Sequence, residues 1–159
     1  TQKNIRVWKP SFQERTLWVG NTKILFFTQK TSLTDYNFNN NSIVFKLIYK
    51  EFSILFPGDI LKRREKSLGH TYPIELHSDI LLSPHHGSST SNTKFFLDKV
   101  QPKSVIIACG WQNRYGFPHR VVLKRFENNN IRIFRTDMTG AILISSNGKK
   151  YIIKTHKGG

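Results

Sequence analysis

Apolar residues run along this chain in short blocks cut by Gly, Pro and Asn, a spacing that predicts many short elements. In the first 35 residues, segments 5–7, 17–19 and 24–27 read as three short strands, separated by Lys9-Pro10-Ser11 and Gly20-Asn21. The run Asn37-Phe38-Asn39-Asn40-Asn41 reads as a polar loop, with Asn39 and Asn40 in a plain surface turn. Segments 43–49 and 52–56 are rich in β-branched and aromatic residues. With Lys50-Glu51 between them they predict a β-hairpin. A helix is expected over 60–68.

From residue 79 onward strand and helix alternate. Strands are expected at 79–82, 104–109 and 131–134. Helices are expected at 91–100, where Phe95, Phe96 and Leu97 make much of the apolar face, and at 119–128, where Val122 and Phe126 stand i, i+4. Segments 141–145 and 151–154 close the chain as a hairpin. An antiparallel start followed by alternation predicts an α/β (α+β) fold, a mixed sheet with helices on it. With no internal repeat and no linker, residues 1–159 read as a single domain segment.

Composition narrows the picture. Hydrophobic residues make up 38% and aromatics 13%, enough for a packed core and against disorder. No apolar run approaches the ~20 residues that span a bilayer, and nothing apolar follows Thr1-Gln2-Lys3-Asn4 as a secretory signal would. The chain does not begin with methionine, so it is expected to be cut from something longer. Cys109 is the only cysteine, which excludes an internal disulfide and a thiolate metal cluster; it reads as a small core residue. Lys and Arg total 25 against 10 acids, a formal +15. That excess favours a polyanion, nucleic acid or anionic lipid, over the alternative of an ordinary protein from a lysine-rich genome. Much of it is arginine near potential site loops, including Arg114, Arg120 and Arg125, and arginine grips phosphate bidentately.

Candidate chemistry gathers where predicted strands end. In Ile80-Leu81-Leu82-Ser83-Pro84-His85-His86-Gly87-Ser88, an apolar run delivers two imidazoles to its C-terminal edge. Asp59 follows the run 54–56 through Pro57-Gly58, and His119 opens the helix at 119–128. Carboxylate oxygen and imidazole nitrogen together suit borderline cations, and such a site can clamp a phosphodiester. The spacing alone matches no short metal motif, and Asp59 has a second reading as a helix cap. His70, His77 and His156 read as solvated loop or tail residues. Trp8, Trp18 and Trp111 could stack on unpaired bases. Packing is the stronger reading for Trp8 and Trp18, while Trp111 directly precedes the loop 113–119.

Five words in register sharpen this: Asn41-Ser42-Ile43-Val44, Leu55-Phe56-Pro57-Gly58-Asp59-Ile60, His85-His86-Gly87-Ser88, Asn113-Arg114-Tyr115-Gly116-Phe117-Pro118-His119, and Arg135-Thr136-Asp137 with Gly140. In that order they resemble the metallo-β-lactamase-like C-terminal domain of the ComEC family of bacterial competence proteins, which internalise DNA. The likeness is strongest over residues 40–144 and loose over 1–35. It implies the C-terminal half of an αββα sandwich. It also implies a metal-dependent phosphodiesterase or nuclease ancestry, with a divalent metal (Zn or Mn) in the full domain. By the resemblance Asp59 and His86 are metal ligands. His85 faces the phosphate or protonates a leaving group, with the order of His85 and His86 left open, and His119 joins it as a catalytic residue. Arg114, Tyr115, Arg120, Ser88 and Trp111 would contact nucleic acid, Ser88 alternatively capping a helix. Arg135, Thr136 and Asp137 are expected to set the turn before the last hairpin.

There are departures. Family members often carry Thr at Pro57 and His at Phe117, both read as tolerable loop changes. The early His-x-His-x-Asp-His word is missing, so the N-terminal half of the sandwich is expected to be absent and this chain alone to be inactive or nearly so. Metal is accordingly expected of the full domain and little or none in this chain. Implied partners are DNA, in single-stranded form, and the rest of a membrane channel protein, of which this would be a soluble segment. An apolar sheet lacking its partner half is expected to self-associate. The competing reading is a non-catalytic basic DNA-docking module with a relic site.

Overall fold

A computed structural model describes residues 10–11, 13–28 and 37–156. The expected strand at 5–7 and Trp8 lie outside the described residues. Seven strands form one sheet in sequence order: β1 (Thr16–Val19), β2 (Thr22–Phe26), β3 (Phe45–Tyr49), β4 (Phe52–Phe56), β5 (Ile80–Leu82), β6 (Ser104–Ile107) and β7 (Arg132–Arg135). The first four pair antiparallel, and Lys50, at φ 55°, makes the expected tight turn between β3 and β4. From β4 to β7 the pairing is parallel. The fold is therefore mixed α/β, as its pattern predicts.

Helices α1 (Lys62–Thr71), α2 (Lys94–Val100) and α3 (Arg120–Asn128) are the three crossovers between the parallel strands. Successive crossovers of one hand, stepping the same way across a sheet, must lie on the same face. The core follows. Leu68, Phe96, Leu97, Val100, Val122 and Phe126 pack on Leu55, Leu81, Val105 and Ile107, nearly all fully buried. The expected i, i+4 pair Val122 and Phe126 is the part of α3 that enters it.

The other face carries the alternate strand positions. Phe52, Ile80 and Ile106 form a small cluster there with Ile54, Leu82 and Phe134. A two-stranded hairpin, β8 (Ile142–Ser146) and β9 (Tyr151–Thr155), lies on it through Ile142, Ile144, Tyr151 and Ile153. It follows the short helix α4 (Thr136–Thr139). Further along the same face, Phe26, Phe45 and Phe56 form a row of rings, with centroids 6.0 and 4.8 Å apart. They stay only half-buried among the described residues, and Leu17 and Val19 on β1 are exposed. Trp18 is 63% exposed and belongs to no core among the described residues, because it sits on edge strand β1.

Three element boundaries and the burial of Asn40 differ from expectation, each because of a hydrogen bond to a distant part of the chain. Helix α1 starts at Lys62 with Leu61 as its cap position, so Asp59 is not its cap. The Leu61 N–H donates instead to Asn40 Oδ1 at 3.0 Å. Asn40 is accordingly buried, at 5% exposure, and is not the plain surface residue its neighbours suggest. Helix α2 starts at Lys94, not 91, because Glu65 captures the N–H groups of Asn92 and Thr93. Strand β6 ends at Ile107: Thr136 Oγ1 accepts from the Cys109 N–H at 2.9 Å and donates to its carbonyl at 2.8 Å, pulling that backbone out of the sheet.

Candidate functional site

Parallel strands end at one edge, so the loops after β4, β5, β6 and β7 meet there. They enclose an open cavity of about 610 Å³, lined among others by Asp59, His85, His86, Cys109, Asn113, Tyr115, Phe117 and Thr136. Asp59, His85 and His86 thus line one cavity, and His119 adjoins it through Phe117, with ring centroids 5.1 Å apart.

Asp59 is held by the loop before β3. Ser42 Oγ accepts from the Asp59 N–H at 3.1 Å, and Gly58, at φ 64°, passes so close that a Cβ would lie 2.8 Å from the Ser42 Cβ. The His85 N–H donates to the Gly58 carbonyl at 3.1 Å and the His119 N–H to the Gly87 carbonyl at 3.0 Å. Three separate sequence words are thereby stitched into one rim. The histidine turn itself is left-handed at three successive residues, His85 (φ 50°), His86 (φ 55°) and Gly87 (φ 83°). For side-chain-bearing residues that conformation costs of order 1 kcal/mol each and persists only where surroundings impose it.

Those surroundings are a buried network. Glu65, fully buried on α1, accepts from the Asn92 and Thr93 N–H groups and from Thr93 Oγ1. Burial pushes its carboxyl upward, opposed by those donors and by Arg125. Asn92 in turn accepts from Ser83 Oγ at 2.9 Å and donates to the Pro84 carbonyl at 3.1 Å, while Arg125 donates to the carbonyls of Ser91 and Asn92. The strained turn thus rests on α1 and α3.

Each imidazole is oriented differently. His86 Nδ1 lies 2.7 Å from the Ala108 carbonyl, which only accepts, so Nδ1 carries a proton. Nε2 faces Asp59 Oδ1 at 3.5 Å, so the imidazole and the carboxylate stand side by side at the rim. His119 Nδ1 accepts from the Ser89 N–H at 2.9 Å, so its Nε2 carries the proton and is a donor. His85 is half-buried, with Nδ1 3.4 Å from Thr90 Oγ1. Phe117 stands among all three rings, with centroids 5.5, 6.4 and 5.1 Å from His85, His86 and His119.

Other predicted contacts divide. Tyr115 is 58% exposed beside Phe117, and the Arg114 guanidinium lies 4.8 Å over its ring. Arg120 is exposed at the first turn of α3, and Trp111 is 72% exposed on the loop before α3. Ser88 is buried and its hydroxyl meets Thr90 Oγ1 at 2.9 Å, so it builds the turn and does not line the cavity. Arg135 and Asp137 form a bidentate pair at 3.0 and 2.6 Å. Cys109 packs against the core edge, its thiol pushed up to about 11 by burial and by Asp137.

Among the described residues, no three His, Cys, Asp or Glu side chains gather closely enough to hold a metal ion. Asp59 and His86 supply two donors, one fewer than the three protein ligands of a catalytic zinc site. The described residues alone therefore do not complete a metal site.

Sequence reasoning missed Glu65, Asn92 and Asn113. A lone buried carboxylate reaching the next crossover leaves no local signal, whereas the left-handed turn could have been suspected from Pro84 and Gly87 around the histidines.

No family model matches the chain. It is 36% identical over 104 residues to "ComE operon protein 3" of Bacillus subtilis, covering 65% of this chain and 13% of that protein. It is 30% identical over 131 residues to "Competence protein ComA" of Neisseria gonorrhoeae, covering 82% of this chain and 18% of that protein. It is 29% identical over 107 residues to "Recombination protein 2" of Haemophilus influenzae, covering 67% of this chain and 13% of that protein. The chain thus spans less than a fifth of the length of these curated relatives. Their names support a competence-protein family as the one to which this chain is related.

Proposed function

We propose that this chain is the segment of a DNA-uptake competence protein that engages incoming DNA at the rim formed by Asp59, His85, His86 and His119. The observation carrying the reading is the meeting of that rim with an aromatic and cationic wall, Tyr115 beneath Arg114, in a chain of formal charge +15. Arginines at 114 and 120 neutralise phosphate, the His119 Nε2–H donates to a phosphate oxygen, and His85 faces the same edge. The rim is of hydrolase type, from a metallo-β-lactamase-like phosphodiesterase or nuclease ancestry. A divalent ion between Asp59 and His86 would need donors from elsewhere in the longer protein. The segment belongs to a bacterial membrane protein, although no helix among its described residues is long and apolar enough to cross a membrane.

A second reading, a non-catalytic basic docking module with a relic site, is favoured by the two-donor count. Single-stranded oligonucleotide binding, measured by fluorescence anisotropy across a salt series, tests what the two share. Affinity should fall steeply with salt, and Arg114→Ala with Arg120→Ala should reduce the slope by about one per lost phosphate contact. Absence of salt-dependent binding would reject both. Cleavage assays on the longer protein with manganese or zinc separate them: Asp59→Ala abolishes cleavage under the first, whereas under the second there is none to abolish.

A further inference from the structure

Phe117 is the one ring in the cavity without an assigned role. It is half-buried, lines the void, and sits within 6.4 Å of three imidazoles that it cannot hydrogen-bond. Its backbone is clamped: the Phe117 N–H donates to Asn113 Oδ1 at 3.0 Å, and Asn113 Nδ2 donates to the carbonyls of Phe117 and Gly110. Tyr115 lies nearly parallel to it, 19° between planes with centroids 5.4 Å apart. The Arg114 guanidinium lies over Tyr115 and donates to its hydroxyl at 2.6 Å. The result is a rigid apolar wall capped by a cation, facing a rim of hydrogen-bonding imidazoles.

From this geometry, and resting on the DNA-engaging reading above, we propose that Phe117, backed by Tyr115, forms a stacking platform for the base of one unpaired nucleotide, whose phosphate lies toward the histidines and Arg114. A cavity of about 610 Å³ suits a ligand of nucleotide size. A base inside a duplex presents no free face, so the platform selects single strands or extruded bases. Every base has a π-face and the wall offers no base-edge code, so the preference is for unpaired over paired bases, whatever the sequence.

The test compares wild type and Phe117→Ala on an oligodeoxythymidine strand and on an abasic strand of equal length and charge. Wild type should bind the strand with bases more tightly, by about five- to a hundredfold. Phe117→Ala should lose that margin while keeping its salt slope, and Phe117→Trp should retain it. Equal wild-type affinity for both strands overturns the platform and leaves the DNA-engaging reading standing. Failure to bind either strand overturns both. Should Phe117→Ala not fold, a 2-aminopurine strand on the wild type decides: quenching on binding supports stacking, and unchanged fluorescence overturns it.

Discussion

The two faces of the seven-stranded sheet are finished differently. One is closed by α1, α2 and α3, whose buried side chains continue into the strand interiors. On the other, the buried apolar cluster among the described residues is Phe52, Ile80 and Ile106, under a two-stranded hairpin. The candidate site depends on the first face. Glu65 and Arg125, which brace the histidine turn, are carried by helices there. The second face touches the site through α4, where Thr136 fastens Cys109. A strained, polar rim needs a dry and rigid support, and the helix face supplies it.

The comparison breaks if the faces respond alike to truncation. Phe126→Ala, on the helix face, should cost about 3–5 kcal/mol in urea unfolding. The partly buried Ile144 on the hairpin should cost only about 1 kcal/mol as Ile144→Ala. Equal losses would mean that the hairpin is as much core as the helices. Glu65→Ala falls between, at about 2–3 kcal/mol, because it orphans two backbone N–H groups. It should also weaken oligonucleotide binding, since the histidine turn loses its brace. A variant that binds DNA normally would detach the network from the site.

Asp137→Asn is expected to cost about 1–2 kcal/mol at neutral pH. Arg135 holds the Asp137 carboxyl below its ordinary value of 3.8. The folded state therefore sheds this proton more readily than the unfolded one. The stabilisation is complete above that ordinary value and disappears as pH falls through the lower folded-state pKa. Stability of wild type and variant should converge in acid; a gap that persists there would assign the effect to packing. The smallest expected signal is association. The half-covered row Phe26, Phe45 and Phe56 beside exposed Leu17 and Val19 should produce concentration-dependent light scattering, reduced by Val19→Lys. A monomer at all concentrations would show the open face to be tolerable alone.

The alternation of strands and helices was legible because each crossover has its own apolar period, and the strand-end position of Asp59, His85 and His86 followed from it. The parallel direction of β4 to β7 followed as well, since a helix between two neighbouring strands carries the chain back to the edge from which it left. Asn40 looked like surface because a run of asparagines has no period. Its burial comes from a hydrogen bond to Leu61, far along the chain. Helix α2 began late for a similar reason: a carboxylate on another helix outcompeted the local signal of Ser91. Phe117 read as a loop substitution because nothing adjacent to it in the chain reveals the rings that surround it in space.

The left-handed turn sets folding against purpose. Glycine at position 86 would adopt that conformation freely, easing the native state by about 1 kcal/mol relative to alanine there. It would also erase the imidazole opposite Asp59. A screen for DNA capture should therefore reject that variant, even where relief of the backbone offsets the lost bond from His86 Nδ1 to the Ala108 carbonyl.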